Sequence, residues 1–488
     1  MTRVIVALVL SLLVASAVNA QPTRDETLTA MKKATTFMTE TVAHRGGYVW
    51  AVSEDLKTHW GEVPARPSQV WVQAGTPMVG QALLDAWEAT GDVYYLNAAR
   101  RAVDVLVFGQ TPHGGWHYFI DFDPKGLPHW YKTRASRFLF GYEEYRHYYG
   151  NATYDDEVTP DAAKFLLRFY TTTLETAYRA PLLKALDFVM ESQYPNGAWP
   201  QRYPLRYEFA HDGLPDYTSF YTLNDGAMFG AIELLVEAHH ALGDARYFEA
   251  ARRGADFLIA VQGPEGQAAW AEQYDTDMRP AAARTHEPAG YVIRESRDAI
   301  RILEMFYVLT GDRRYLRPIP ACLEWYERVN REALEHGRPP ARYYEPGTNL
   351  PIYVVGTDAR TPEGYGVQEW RKTPPDGAEV REAVDVAPIR RQYEDVTTLE
   401  RAEARTRYYE QHWGRRALPD TPRVDEVARI LGALDARGAW VTDDVMVHDI
   451  VDDDRIRSGT KVPARAISTE VFVKNLRALT AYVRVSAP

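Results

Sequence analysis

The chain has 488 residues, of which 45% are hydrophobic and 25% are charged, the composition of an ordinary globular protein. Its formal net charge of −11 argues against a general nucleic-acid binder and against binding to anionic membranes. A local arginine cluster or a bound cation can still make one cleft attractive to an acidic substrate. The single cysteine, Cys322, excludes metal sites built from several cysteines.

Residues 1–20 have the pattern of a secretory signal peptide. A positive start is followed by an apolar run over Val4–Ala17 and by a small-residue cleavage site that ends at Ala20. The apolar run is too short to span a bilayer comfortably. We therefore expect cleavage near Ala20, a secreted or periplasmic mature protein, and a single domain over residues 21–488.

A Gly-Asp dipeptide recurs between segments of helical periodicity. It occurs at Gly91-Asp92, Gly243-Asp244 and Gly311-Asp312, and a degenerate copy begins at Glu175. Glycine suits the position after a helix and aspartate caps the next one, so each copy predicts a helix pair. The repeat of roughly 70 residues is longer than common solenoid units, because a long loop follows each pair.

A short element with an aromatic residue also recurs along the chain. Its copies are Gly46–Trp50, Gly114–Trp116, Asn196–Trp199, Ala268–Trp270 and Arg437–Trp440. We interpret them as strands or turns on one rim of the fold. The predicted fold is mainly α: an α/α toroid (an incomplete or closed α/α barrel) built from repeated helix pairs, with long rim loops and short β elements. An open α-solenoid is the alternative, but it usually has shorter loops.

Apolar periodicity is clearest after Asp225, and the next such helix is predicted to begin near Asp298. Thr159-Pro160 predicts an N-cap followed by a first-turn proline. Residues 361–425 are rich in charge and proline and are expected to be a surface insertion. Residues 426–488 are expected to hold the helices that close the toroid.

The candidate site residues lie in the rim loops. Two loops carry carboxylates, Asp155–Glu157 and Asn224-Asp225, and two others carry Arg284 and Arg342. These loops would converge if the helix pairs form a ring. Hard oxygen ligands of this kind suit Ca²⁺, and arginine forks suit the capture of a carboxylate. Such a cleft, lined with aromatic residues, would receive an acidic sugar.

Each of these residues also has a purely structural interpretation. Asn224 or Asp225 can cap the helix that follows, and Asp155 can belong to a solvated acidic turn. Arg284 and Arg342 can form surface ion pairs. Periodicity alone does not decide between the two interpretations.

From about Thr153 to Tyr353 the motifs resemble those of the pectate lyases of polysaccharide lyase family ten. The matching segments are Asp155–Thr159, Tyr194–Gln201, Leu223–Met228, Trp270–Asp275, Arg284–Glu287 and Arg342–Asn349. The resemblance implies an incomplete α/α toroid with a family-like catalytic core over residues 110–360. It also implies cleavage of polygalacturonate by β-elimination with Ca²⁺.

The resemblance assigns roles to individual residues. Asp155 and Asp225 would lie at the Ca²⁺ ion and the substrate carboxylate, and Arg284 would be the base that removes the proton at C5. The substrate-binding candidates are Arg342, Asn224, Trp199 and Arg360.

The sequence departs from the family pattern at three places that bear on the substrate. The serine-rich stretch after Glu287 is replaced by Pro288–Ser296. The family's second late arginine falls near Gly356, and Leu350 also replaces an arginine. Arg360 is the candidate replacement for the missing substrate arginine.

Two other functions stay open beside the lyase. One is a glycoside hydrolase on an α/α barrel, which would use two carboxylates as acid and base. The other is a non-catalytic protein that binds uronates. We expect an acidic polysaccharide as the partner, no nucleic-acid or membrane partner, and a monomer.

Overall fold

The structure is a computed structural model that describes residues 21–134, 150–205, 216–284, 286–355, 369–374, 384–412, 418–452 and 455–486. The predicted signal peptide therefore lies outside the described residues. Within these ranges, no helix is both long enough and apolar enough to cross a membrane.

Helices form the body of the protein. They are α1 Arg24–Phe37, α2 Thr76–Thr90, α3 Val93–Gly109, α4 Leu127–Thr133, α5 Val158–Thr173, α6 Arg179–Glu191, α7 Ala227–Leu242, α8 Ala245–Ala260, α9 Ile293–Thr310, α10 Pro318–Glu335, α11 Val386–Thr398, α12 Arg401–His412, α13 Val424–Gly432 and α14 Thr469–Val485.

The strands are mostly short and lie between the helix pairs. They are β1 Ala51–Ser53, β2 His59–Trp60, β3 Pro64–Ala65, β4 Gln69–Trp71, β5 Phe119–Asp121, β6 Ala152–Thr153, β7 Arg202–Tyr203, β8 Tyr221–Thr222, β9 Trp270–Ala271, β10 Gln273–Tyr274, β11 Tyr291–Val292, β12 Tyr343–Tyr344, β13 Pro351–Val355, β14 Glu369–Arg371, β15 Val441–Asp452 and β16 Arg455–Ser468.

The Gly-Asp turns join the helix pairs as predicted. Gly91, Gly243 and Gly311 adopt the left-handed conformation, with φ between 70° and 75°. The aspartate after each glycine accepts a hydrogen bond from the backbone two residues further on, at 2.9–3.0 Å. In the degenerate copy, Leu174 takes the left-handed position with a φ of 57°, and Glu175 makes no side-chain cap.

The helix pairs are arranged around a ring. The first helix of each pair contacts the first helix of the next, in the order α2, α5, α7 and α9. The C-terminal helix α14 packs against α2 and α1, which brings the two ends of the chain together. One hydrophobic cluster extends from Met31 to Val483. The prediction of a mainly α-helical α/α toroid is confirmed.

Four of the five recurring aromatic elements tie a loop to the helix before it. The indole N–H groups of Trp116, Trp199, Trp270 and Trp440 each donate to a carbonyl near the end of that helix, at 2.7–2.9 Å. All four side chains are buried. A buried indole needs such an acceptor, so the aromatic ring fills the space and its N–H fixes the position of the loop.

Two helix starts differ from the sequence prediction. Helix α5 begins at Val158, so Thr159 lies inside the helix, where its hydroxyl accepts a hydrogen bond from the Trp116 backbone N–H at 3.0 Å. Helix α9 begins at Ile293, five positions before the predicted Asp298, because the segment leaves β11 directly as a helix. Neither helix has a side-chain hydrogen bond at its N-cap, so no local capping signal marks these two boundaries in the sequence.

The C-terminal part is less helical than predicted. The strands β15 and β16 form a long hairpin between α13 and α14, and β16 pairs with β1 in a sheet of order β15-β16-β1-β2-β3. The segment expected to close the toroid contains α14, and the hairpin that precedes this helix was not among the predicted elements. Within the predicted insertion 361–425, the described residues include α11 and α12, and α12 packs against α9.

Candidate functional site

Two short turns with the same backbone shape precede α5 and α7. Asp156 and Asp225 both have a φ of 52°, with ψ of 30° and 31°, a left-handed conformation that aspartate tolerates better than most residues. Neither turn has a side-chain capping hydrogen bond. The capping interpretation of Asn224 and Asp225 is therefore wrong. The two turns contact each other because α5 and α7 are neighbours in the ring.

Arg284 is an ion-paired and largely buried side chain in this site. Its Nη2 donates to Asp225 Oδ2 at 3.0 Å and to Glu287 Oε1 at 2.6 Å, and only 15% of the side chain is exposed. Burial alone would lower the pKa of Arg284, but the carboxylates of Glu287, Asp155 and Asp225 outweigh it and raise that pKa well above its ordinary value. The interpretation of Arg284 as a surface ion pair is therefore wrong.

Asp155 is buried, which excludes a solvated acidic turn for this residue. Its carboxylate accepts hydrogen bonds from the hydroxyl of Tyr118 and from Gln201 Nε2, the latter at 3.0 Å. Burial and the nearby charge of Asp225 raise the pKa of Asp155 to about 6. For Asp156, burial and the carboxylate of Asp155 raise the pKa to about 8.

Asn224 is held between two carboxylates. Its side-chain N–H₂ donates to Asp225 Oδ2 at 3.1 Å and to Glu287 Oε1 at 3.3 Å. The side-chain oxygen Oδ1 is buried and has no hydrogen-bond partner in the part of the chain that the structure describes. The backbone N–H of Asn224 donates to the carbonyl of Glu272 at 2.9 Å, which connects this turn to the neighbouring loop.

Arg342 belongs to an adjoining group rather than to the Asp225 cluster. Its Nη2 donates to the buried carboxylate of Glu272, which also accepts from the Tyr343 hydroxyl at 3.0 and 3.1 Å. Burial and the charge of Glu287 raise the pKa of Glu272 to about 8. The side chain of Arg342 is 41% exposed, so part of it is accessible to a ligand.

The other two predicted substrate-binding residues, Trp199 and Arg360, have different outcomes. Trp199 has no exposed surface, and its indole donates to the Val189 carbonyl at 2.8 Å. The prediction that Trp199 binds substrate is therefore wrong, because the ring packs inside the helix pair. Arg360 lies outside the described residues.

Sequence reasoning missed the acidic partners of the arginines. Glu287 stands three residues after Arg284, a spacing at which opposite charges in one short loop readily pair. Glu272 lies in the sequence between two strand residues, Ala271 and Gln273, which are also buried. A carboxylate inside such a buried segment indicates a paired or functional group.

A cleft of about 510 Å³ opens beside Asp225 and Asp156. It lies between the starts of α2, α5, α7 and α9 and the side of α14. Arg294 and Arg477 contribute the cationic side chains of its lining, and Gln73, Gln81 and Met78 are among its other residues. The Asp225 turn therefore faces a space that is large enough to receive part of a sugar chain.

The site has the donor chemistry of a cation site, although no group of three or more His, Cys, Asp or Glu residues comes together to hold a metal ion within the described ranges. Asp155, Asp156 and Asp225 bring three carboxyl groups close enough to raise the pKa of two of them. The Oδ1 atom of Asn224 adds a buried oxygen without a partner. A divalent cation that shares its coordination with water or substrate would relieve both features.

Comparison with known proteins gives a family match for the segment that contains the site. A family model described as pectic acid lyase matches residues 129–342. The comparison with curated proteins gives no match. Among solved structures, a family 10 polysaccharide lyase from Cellvibrio cellulosa is 22% identical, with a TM-score of 0.38, and the alignment covers 55% of this chain and 85% of that chain.

Two further structures are similar at the same level. A mutant of the Cellvibrio enzyme in complex with trigalacturonic acid is 20% identical, with a TM-score of 0.38, over 57% of this chain and 85% of that chain. A sugar epimerase from a ruminal bacterium is 12% identical, with a TM-score of 0.46, over 94% of this chain and 99% of that chain. Because these TM-scores are low, the family match carries the comparison, and it confirms that residues 129–342, which contain Asp155, Asp225, Arg284 and Arg342, resemble the pectic acid lyases.

Proposed function

We propose that the protein is an exported polysaccharide lyase that cleaves polygalacturonate by Ca²⁺-assisted β-elimination. The observation that carries the proposal is the contact of Arg284 with Asp225, next to Asp155 and Asn224. All four residues lie within the segment that the pectic acid lyase model matches. The family match supports an enzyme that acts on a polysaccharide. The charged residues of the site support an acidic polysaccharide as its substrate.

Asp155 and Asp225 are the residues that would hold Ca²⁺. Bound there, the ion would neutralise a uronate carboxylate and so make the neighbouring C5–H group more acidic. The chain's own arginines would act on the same carboxylate. Arg342 would exchange Glu272 for the substrate, since a guanidinium fork binds one carboxylate much as it binds another.

Arg284 would take the proton from C5. The electron pair of that C–H bond then forms the C4–C5 double bond, and the glycosidic C4–O bond breaks with the leaving oxygen taking its electrons. Arginine is an ineffective general base near neutral pH, because its strongly basic side chain is almost entirely protonated below a pH of about 12. The carboxylates beside Arg284 raise its pKa further, so these ion pairs must loosen when substrate binds.

A glycoside hydrolase is the second candidate. Asp156 has a pKa of about 8, so it keeps its proton at neutral pH, as a general acid must. Asp225 would then have to serve as the second carboxylate. Its Oδ2 atom accepts a hydrogen bond from Arg284 at 3.0 Å, so Arg284 would hold it in place as the base or nucleophile.

Product analysis distinguishes the candidates. The mature protein is incubated with polygalacturonate and Ca²⁺, and ultraviolet absorbance and new reducing ends are followed together. A lyase gives both signals, because its product is an unsaturated uronate. A hydrolase gives reducing ends without absorbance, and a binding protein gives neither. Absence of absorbance with polygalacturonate, alginate and glycosaminoglycans would reject the proposal.

A further inference from the structure

Arg294 is a cationic side chain whose hydrogen-bonding capacity is unused. It lies in the first turn of α9 and lines the cleft beside Asp225. Its nearest carboxylate atoms are Asp225 Oδ1 at 3.8 Å and Glu295 Oε1 at 3.9 Å, both beyond hydrogen-bonding distance. The side chain is 53% exposed, and its guanidinium donates no hydrogen bond to any described residue.

Two carboxylates that line the cleft, those of Asp225 and Asp85, accept hydrogen bonds from arginines other than Arg294. Asp225 already accepts a hydrogen bond from Arg284 at 3.0 Å. Asp85 is paired twice, with Arg168 at 2.8 Å and with Arg477 at 3.0 Å. Neither carboxylate accepts a hydrogen bond from Arg294, so the Arg294 guanidinium is available to a ligand. Arg477, the other arginine of the lining, is paired with Asp85.

Asp156 also lines the cleft, and it makes no ion pair with Arg294 in the part of the chain that the structure describes. A second acidic residue of the lining, Glu157, has Lys164 at 3.5 Å. An anion that enters the cleft near Asp225 therefore meets a guanidinium that has carboxylates at 3.8 and 3.9 Å but donates no hydrogen bond to a described residue.

The sequence around Arg294 supports a role in substrate recognition. The residue lies in Pro288–Ser296, where this chain departs from the serine-rich pattern of the pectate lyases. The chain also lacks an arginine of that pattern near Gly356. A guanidinium in the cleft supplies the bidentate donor that a carboxylate prefers.

We propose that Arg294 is a substrate-binding residue of this cleft and that its guanidinium holds the carboxylate of a uronate unit of the polysaccharide, next to Asp225. The identity of the ligand rests on the lyase function proposed above. The position of Arg294, in the cleft but outside the Arg284 ion pairs, makes it a determinant of affinity and of preference for acidic over esterified sugars. It would replace the missing arginine.

The test compares Arg294→Ala and Arg294→Lys with wild type and with Arg279→Ala. Arg279 is 76% exposed, has the carboxylate of Asp277 at 3.6 Å and is not among the residues that line the cleft, so it is a matched control. Initial rates on polygalacturonate and on its methyl ester give kcat and KM for each protein. Circular dichroism confirms that each variant is folded.

Arg294→Ala is expected to raise KM for polygalacturonate about 10-fold or more, with a smaller change in kcat, because it removes a charge-assisted hydrogen bond to bound substrate. Its preference for the acidic polymer over the ester should fall by a similar factor. Arg294→Lys should lie between wild type and Arg294→Ala, because lysine keeps the charge without the fork. If Arg294→Ala matches Arg279→Ala in KM and in this preference, the proposal is wrong even when the lyase activity is present.

A binding measurement keeps the two proposals separable. Trigalacturonate is titrated by calorimetry into Arg284→Ala and into Arg284→Ala/Arg294→Ala, neither of which is expected to turn it over. The double variant should bind about 10-fold more weakly, and added salt should reduce that difference. Equal affinities would overturn the role of Arg294. If the affinities differ but wild type forms no lyase product, Arg294 is retained as a uronate-binding residue and the lyase function is rejected.

Discussion

Arg284 Nη2 donates to Asp225 Oδ2 across 3.0 Å, although the two residues stand 59 positions apart in the chain. Asp225 lies at the start of α7, and Arg284 lies in the loop before α9. The contact exists because α7 and α9 are neighbours in the ring. It joins a predicted cation-binding residue to the predicted base and defines the centre of the candidate site.

Arg284→Ala is expected to abolish turnover and also to destabilise the protein. The loss of a positioned general base costs about 100-fold or more in rate. Removing one partner of a largely buried ion pair costs about 3–5 kcal/mol in the free energy of unfolding. Kinetics and chemical denaturation measure the two effects separately. An unchanged free energy of unfolding would contradict the buried ion pairs.

A second substitution separates folding from catalysis in that experiment. Glu287→Gln added to Arg284→Ala removes a buried carboxylate that has lost its partner. The double variant should recover part of the lost stability and none of the activity. Recovery of activity together with stability would show that Arg284 acts only as a structural residue.

The rate of the wild-type enzyme should rise with pH from neutral to alkaline values. A base whose pKa lies above the assay range is active only in its small neutral fraction, so kcat/KM should increase about tenfold per pH unit. The neighbouring carboxylates keep the pKa of Arg284 well above its ordinary value, which extends the rise to high pH. A flat profile over this range would reject Arg284 as the base.

Asp156→Asn should remove part of the pH dependence of stability. The folded-state pKa of Asp156 is about 8, against an ordinary value of 3.8. Between these values the folded protein retains a proton that the unfolded chain has lost, so the free energy of unfolding falls as pH rises. The variant should therefore lose less stability than wild type between about pH 4 and about pH 8. The control is Asp277→Asn, because the carboxylate of Asp277 is 68% exposed. The free energy of unfolding is measured against pH by chemical denaturation, and equal slopes for wild type and Asp156→Asn would contradict the burial of Asp156.

Trp199→Phe should change stability and leave substrate affinity unchanged. The substitution keeps an aromatic ring but removes one of two hydrogen bonds to the Val189 carbonyl, which also accepts from Ser192 Oγ at 3.2 Å. It also leaves space where the larger indole packed, and the combined cost is about 0.5–3 kcal/mol. Thermal unfolding measures this loss, and KM on polygalacturonate measures the affinity. A raised KM at unchanged stability would restore the substrate-binding role that the structure argues against.

Local signals in the sequence were enough to predict the helix pairs. Gly91 and Asp92 determine the end of one helix and the start of the next within a few residues, so their roles follow from backbone conformation and capping. The indole of Trp116 similarly bonds only ten residues back along the chain. Features of this range are readable from sequence because the partners are close in the chain.

Long-range features could not be predicted in the same way. The hairpin β15–β16 is completed by β1, whose residue Ala51 pairs with Ser468 from the other end of the chain. Asp225 could equally have been a helix cap, and the choice depended on whether Arg284 reached it. Trp199 lies in a motif shared with the resembling family, and this motif alone suggested a substrate contact. Its complete burial depends on the packing of the helix pair around it, which the motif does not show.

The most direct test of the account is the initial rate of ultraviolet absorbance on polygalacturonate, measured with Ca²⁺, with a chelator, and after Ca²⁺ is restored. Wild type should produce unsaturated uronate with Ca²⁺, lose the signal with chelator and recover it afterwards, while Asp225→Ala should stay inactive throughout. Absorbance that persists in chelator, or that Asp225→Ala retains, would contradict the proposed cation site. Reducing ends formed without any absorbance would contradict the lyase itself.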